Sequence, residues 1–433
     1  MNVRVRQLLD EFRHRLLALP VVFVIGAIAL SQLTLWIDRS IDTSTFPLWL
    51  STTVESARAI LSAIAGGLIT AITLLLSMML VAVQLASSQF SPRTLRNWIG
   101  DRTQQMAIGF VLGTTVFCLL VLRQTRTVTD GDPLTPNISV LLAVALGIGS
   151  LVAVVRSVDQ LTNRLRIGSV ASDILAETIE TIERRERLIP IEDPSNGPEG
   201  GEVPETDEVS PPDGAHPVLV TRSGWIQQID HDVAVAGIPE GCTLYLPMAV
   251  GSFTFPDAPI AWIWPEPVDT EACDAAVRRS VAVGDTRTMQ QDVGFGIVQM
   301  VDIALRALSP GVNDPNTASD LIAHLGVTML KVWERPVAPT TQESNGRTVI
   351  RQDLEHGDYL HAAFDPIRIY GAHDPGVAST MIRTLQTLRV ETERRGLPGP
   401  IDTIDEVIAE VVEAVEASDL ADVDKRRVVA LRA

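Results

Sequence analysis

Six residues of one apolar stretch, Ala63, Gly67, Thr70, Ser77, Gln84 and Ser88, recur at spacings of 3, 4 or 7 and so share one face of a helix. Small side chains on a lipid-embedded helix let a neighbouring backbone approach, and hydroxyl groups bond across such a contact. The same face could instead line a water-filled pathway. Both readings, helix packing and pore lining, are open at this point. The opposite side, Leu68, Ile72, Leu75, Met79 and Val83, is apolar. Gly109 and Gly113 form a GxxxG pair in the next apolar stretch, which predicts a close helix contact.

A second group, Asp302, Arg306, Ser309, Asn313, Asp314 and Thr317, surrounds the string SPGVNDP at 309–315. The string joins two predicted helices. The first opens at a capping box of Thr288 and Gln291 and carries Asp302 and Arg306 at i,i+4 spacing. The second is capped by Asn313 and runs to about Glu334. The N–H groups opening that second helix, less the one that Pro315 removes, could join Arg306, Asn313, Asp314 and Thr317 around a small ligand or a subunit contact. The other reading is a well-specified corner, because Pro-Gly turns, Asn caps, and Asp favours a helix N-terminus.

Catalytic chemistry finds no support. Asp230, His231 and Asp232 combine acid and base types but fall in a predicted hairpin with no nucleophile beside them. Strings that cradle phosphate, hold a catalytic zinc or present a serine nucleophile are absent. His356 and His361 flank Asp358 at a spacing that matches no metal signature. Cys118, Cys242 and Cys273 form no CxxC pair. The sequence reads as that of a non-enzyme with no cofactor and no metal.

The elements that must position these groups begin with four apolar segments, at 16–37, 59–88, 105–122 and 138–155. Each is long enough to cross about 30 Å of hydrocarbon. The first is too long for the apolar core of a cleavable leader, and no small-residue cleavage site precedes Asp38. Arg4, Arg6, Arg13 and Arg15 precede it; Arg93, Arg96 and Arg102 lie between the second and third; Arg156, Arg164 and Arg166 follow the fourth. The other two loops hold Arg39, Arg58, Arg123 and Arg126. The positive-inside rule then puts both termini in the cytoplasm. No Asp, Glu, Lys or His lies within the core of any span, which argues against a pump or ion-coupled carrier.

Residues 1–170 hold 14 arginines against 9 acids, a net charge of +5 in a chain of −18, so the remainder carries −23. So acidic a body argues against nucleic-acid binding and against flat adsorption on anionic lipid. In the string SSQFSPRTLRNWIGDR at 87–102, Pro92 ends the second span and Ser91 caps a short helix. Leu95, Trp98 and Ile99 give that helix an apolar face with Arg93 and Arg96 beside it, which suits an elbow at the membrane interface. Residues 167–188 read as helix, and 190–212, rich in Pro, Gly and Glu, as disordered. VLVT, WIQQI, CTLYL and IAWIW are strand-like runs between turns. Helices dominate from Asp269 onward, the last of them near 376–395, 402–418 and 422–431.

The strings SSQFSPRTLRNWIGDR and DIALRALSPGVNDPNTA, at 87–102 and 302–318, resemble those of a bacterial family of integral membrane proteins known mainly as a domain of unknown function. The family pattern is four N-terminal spans and a soluble C-terminal region, and the resemblance covers nearly the whole chain. It implies this topology and supplies no activity. Val312 fits an apolar position of the family pattern; polar Asn316 departs from one. Arg156 and Asp159 stand where the family carries histidines, so no role tied to those histidines carries over.

These readings predict an all-α four-helix transmembrane domain over 1–166, a connecting helix over 167–189 and a disordered acidic linker over 190–215. An α+β cytoplasmic part follows, with a small β-barrel or sandwich over 216–266 and a mainly helical domain over 267–433. The favoured function is a homo-oligomeric channel or pore-like protein of the bacterial inner membrane, both termini cytoplasmic, with the cytoplasmic part as vestibule or regulatory domain. The alternative is a non-conducting scaffold or sensor whose cytoplasmic domain binds a ligand or partner. Expected partners are membrane lipid, further copies of the chain, and a small ligand or ion; nucleic acid is not among them.

Overall fold

A computed structural model describes residues 18–40, 53–89, 102–125, 136–164, 167–188, 210–335 and 340–432. The expected elbow residues Ser91, Pro92, Arg93, Arg96 and Trp98, and most of the expected acidic linker, lie outside these. The chain divides between Arg166 and Ile167 into two compact units.

The first unit is four helices: α1 (Ala18–Ser40), α2 (Val54–Gln89), α3 (Arg102–Gln124) and α4 (Asn137–Arg164). Each contains a stretch long and apolar enough to cross a membrane, as the four apolar segments predict. Helix α2 starts ahead of its uncharged run because Thr53 accepts from the Ser56 amide at 3.2 Å, a cap that carries Glu55 and Arg58 into the helix. Helix α3 is the centre. Its span is 61% buried, against 17% for α2, and it touches the other three helices. The GxxxG pair explains how. A Cβ on Gly109 would lie 2.7 Å from Phe23 Cδ2 and 3.0 Å from the Pro20 backbone, and one on Gly113 3.1 Å from the Phe23 carbonyl oxygen. Glycine there lets α1 reach van der Waals contact, as the motif predicts. Leu35, Leu61, Phe117, Val121 and Ala143 fill the core around it.

The second unit opens with α5 (Ile167–Leu188), which packs against two later helices. The four predicted strand runs appear as β1 (His216–Leu219), β2 (Gly224–Ile229), β3 (Thr243–Leu246) and β5 (Pro259–Trp264). They do not close a structure by themselves. A short β4 (Phe253–Thr254) and β6 (Val281–Gly284) flank β2 in a three-stranded antiparallel sheet. The hairpin of β7 (Thr340–Ser344) and β8 (Arg347–Arg351) completes a five-stranded sheet ordered β1-β5-β3-β8-β7, in which only β3–β8 is parallel. Val218, Ile226, Leu244, Ile263 and Val349 meet in one core, joined by α6 (His231–Ala236) and α7 (Thr270–Ser280).

The rest of the unit is helical: α8 (Val293–Ala307), α9 (Pro315–Trp333), α10 (His356–Gly371), α11 (Pro375–Arg395), α12 (Ile401–Ala417) and α13 (Asp422–Val429). Three sequence expectations are corrected here. Asp292, not a Thr288–Gln291 box, caps α8, accepting from the Phe295 amide at 2.9 Å. Gln291 instead pairs both ways with the backbone of Ile229, the last residue of β2, at 3.0 and 3.2 Å. Asp314, not Asn313, caps α9; Asn313 is left-handed at φ 49°. The expected hairpin at Asp230–Asp232 is the start of α6, with the Asp230 carboxylate accepting from the Val233 amide.

Candidate functional site

Helix α2 turns its apolar side to the bundle. Ala57, Leu61, Ala65, Leu68, Leu75 and Ala82 are buried. Ala63, Gly67, Thr70, Ser77 and Gln84 are exposed; Ser88 lies in the helix, its side chain outside the described ones. At about 100° per residue, the line opposite Leu75 passes through Gly66 and Gln84. Ser62, Thr70, Thr73 and Ser77 fall within about 40° of that line, as does Leu80; Ala63 lies about 60° from it, and Gly67 about 100°, nearer the Leu75 side. Sequence reasoning thus missed Ser62, Gly66 and Thr73, which a helical projection of 54–89 brings out. Every hydroxyl in the middle of the stripe donates to a carbonyl of its own helix: Thr70 to Gly66 at 3.1 Å, Thr73 to Ile69 at 2.9 Å, Ser77 to Thr73 at 2.8 Å.

The polar glue of the bundle lies elsewhere. Gln104 and Ser157 bond in both directions between α3 and α4, and the Ser150 hydroxyl donates to Thr114 Oγ1 at 3.0 Å. At the opposite end Asp38 closes the N-terminus of α4. It accepts from the Ile138 amide at 2.9 Å, the Ser139 amide at 3.1 Å and the Ser139 hydroxyl at 2.6 Å. Arg39 donates to Gln124 Oε1 and Arg58 to the Thr125 carbonyl, both at 2.8 Å. The ends of all four helices are tied together there.

In the second unit the SPGVNDP string is the corner between α8 and α9. The Ser309 hydroxyl donates to the Arg306 carbonyl at 2.7 Å, and the Asp314 amide to the Ala307 carbonyl at 2.8 Å. The Thr317 hydroxyl and amide both donate to the Asp314 carboxylate, at 2.6 and 3.2 Å. Those two bonds, the hydroxyl first, hold the Asp314 carboxyl below its usual pKa. Ser309, Asp314 and Thr317 thus direct polar groups into the corner itself. Asp302 is half-buried on α8; Arg306 and Asn313 are exposed.

A second corner, which sequence reasoning missed, lies beside the first. Asp374 caps α11 through the Gly376 and Val377 amides at 2.8 and 2.9 Å, and Gly371 just before it sits against Leu308. The strings DPNTAS and DPGVAS open α9 and α11 alike. Their buried positions correspond: Ala318 with Ala378, Leu321 with Met381, Ile322 with Ile382, Leu325 with Leu385. Gly326 meets Thr384 and, further on, Glu334 pairs with Arg395, so the two helices run parallel and start at the same end. The repeated Asp-Pro string was the available signal.

The histidines of the sequence reading serve separate partners. His356 is buried with Nδ1 2.7 Å from the Pro398 carbonyl, and burial pushes its pKa down. His361 lies 3.0 Å from Asp365. Burial lowers the pKa of His231 too, helped by Arg351. Among the described residues no three His, Cys, Asp or Glu side chains gather as a metal set.

A family model described as a predicted membrane protein, DUF2254, matches residues 13–387. The chain belongs to this family. Relatives of this DUF2254 protein include uncharacterized proteins of Mycobacterium bovis and Mycobacterium tuberculosis, each 29% identical over 343 residues. The match takes in 78% of this chain and 64% of each relative, so the chain spans just under two thirds of their length. No solved structure matches it.

Proposed function

We propose that this DUF2254 protein is a homo-oligomeric channel or pore-like protein in which each copy turns α2 toward a shared axis. The second unit is its cytoplasmic vestibule or regulatory domain. One observation carries the reading: the polar stripe of α2 lies opposite the face that packs on α3 and α4. A lone protomer in a bilayer presents Ser62, Thr70, Thr73, Ser77 and Gln84 to hydrocarbon. Polar surface there is costly unless covered or wetted, and several copies grouped around α2 remove it from lipid. The arginine distribution supports an inner-membrane protein with both termini cytoplasmic. We assign it no catalytic role.

A second reading has its own observation. The stripe hydroxyls already bond within their helix, so the face needs no water. Copies then pack closely there, and the protein is a non-conducting scaffold or sensor with the paired Asp-Pro corners as its ligand or subunit contact. Planar-bilayer recording of the purified full chain separates the two. The channel reading expects discrete current steps that Thr70→Leu with Ser77→Leu suppresses at unchanged oligomer size. An intact wild-type oligomer that stays electrically silent leaves the scaffold.

A further inference from the structure

Two glycines stand side by side in the middle of α2, and no described residue packs close enough to either to require it. A Cβ built on Gly66 or Gly67 meets no atom within 4 Å, and neither residue takes the left-handed conformation that favours glycine. The glycines of α3 and α4 differ: on Gly109, Gly113, Gly147 and Gly149 a Cβ would find its nearest neighbour at 2.7 to 3.3 Å. Gly26 of α1 is as open as the α2 pair but stands alone. A glycine in a helix interior is less favourable than alanine, so a pair side by side weakens α2 locally.

The packing of α2 changes at the same place. Before the pair the helix is anchored: Ala57, Leu61 and Ala65 are buried, Leu68 follows directly, and Arg58 bonds to the end of α3. From Ile69 to Leu85 only Leu75 and Ala82 are buried. The Thr70 hydroxyl takes the Gly66 carbonyl as its acceptor, a back-bond of the kind that bends helices. With 36 residues, α2 is about 54 Å long, well beyond the hydrocarbon thickness of about 30 Å.

We propose that Gly66 and Gly67 form a hinge, about which the distal segment of α2 swings against its anchored start. The proposal does not rest on conduction. In a channel the hinge would carry Thr70, Thr73, Ser77 and Gln84 toward or away from the axis; in a sensor it would change the face offered to neighbouring copies.

Pairwise spin-label distances in the full chain test this, in lipid, with the three native cysteines replaced and labelled protein diluted in unlabelled. One pair joins Leu80→Cys to Leu151→Cys on α4; the control pair joins Ser62→Cys to Leu151→Cys. All three positions are exposed. A swing of about 20° at Gly66 displaces position 80, about 21 Å along the axis, by about 7 Å. The hinge predicts a broad distribution for the Leu80 pair and a narrow one for the Ser62 pair. Adding Gly66→Ala with Gly67→Ala should collapse the first to a single narrow peak. Equal widths for both pairs, or widths indifferent to the alanines, overturn the hinge. So does a double-alanine variant whose oligomer size changes while every distribution was narrow from the start, since the glycines then serve contact between copies. Should the double variant not accumulate, hydrogen exchange of the wild type decides. Amides 70 and 71, bonded across the pair, exchange at least about tenfold faster than 61–65 if it is a hinge (a local weakening of about 1.4 kcal/mol or more) and at the same rate if it is not.

Discussion

Replacing Gly109 by leucine should cost the chain its four-helix bundle. The first added carbon already lies 2.7 Å from the Phe23 ring and 3.0 Å from the Pro20 backbone, and the rest of the side chain has to enter α1. Ring rotation can relieve the first contact; the second is main chain and requires α1 to move away. Overpacking costs about 1–3 kcal/mol where side chains can adjust, and more where backbone must shift, so a loss of at least about 3 kcal/mol is expected. Helix α3 is the hub of the bundle, so displacing α1 also loosens the tie at Asp38. Thermal unfolding in detergent should fall sharply or vanish for Gly109→Leu. The companion Gly66→Leu, whose Cβ meets no described atom within 4 Å, should not lower the protomer's unfolding midpoint and should act on assembly. An unaltered midpoint for Gly109→Leu would contradict the helix packing described.

Asp38→Ala should be nearly as damaging, by a different route. Asp38 is 7% exposed and accepts three hydrogen bonds from the first turn of α4. Those amides have no partner within their own helix, since the first N–H groups of any helix lack one. Alanine leaves three donors without this acceptor in a buried place, at about 1 kcal/mol or more each, and removes a negative charge from the positive end of α4. A loss of about 3–4 kcal/mol is expected, with exchange at amides 138–139 speeding up before the rest of α4. Asp38→Asn keeps one acceptor oxygen and should recover part of the loss. If Asp38→Ala matched the wild type in both measurements, the trans cap would be without energetic weight.

The layout was legible in the sequence because spans and strands announce themselves by apolar content. The four spans, the four strand runs and the GxxxG contact needed only hydropathy, spacing and turn residues. What escaped were elements whose signal is polar. TTQES and RTVIR are too polar to read as strands, although Asn345 and Gly346 between them form a hairpin turn with positive φ at both residues, a signal that stood in the sequence. Helix α10 opens on histidines and acids and holds Pro366, which hid its period. Asp38 closes a helix 100 residues away, a relation no local pattern contains. Asp314 and Asn313 both suit a cap; only the backbone, left-handed at Asn313, decides between them. For the α2 stripe the sequence offered the face but not its direction. That it points out of the protomer depends on which side α3 and α4 occupy, and the apolar face could have met lipid equally well.

That direction is the centre of the functional proposal, and water access along α2 tests it most directly. In a background with Cys118, Cys242 and Cys273 replaced, single cysteines at Gly66, Thr70, Ser77 and Gln84 would be challenged with a membrane-impermeant thiol reagent from the cytoplasmic side. Leu68 and Leu75 serve as packed controls, and Leu151, exposed on α4, as a lipid-facing one. The thiolate is the reactive form and exists only where water reaches it, so labelling reports hydration rather than proximity. The account predicts labelling at the four stripe positions and none at Leu68, Leu75 or Leu151. A stripe as unreactive as the lipid-facing control would contradict the pore.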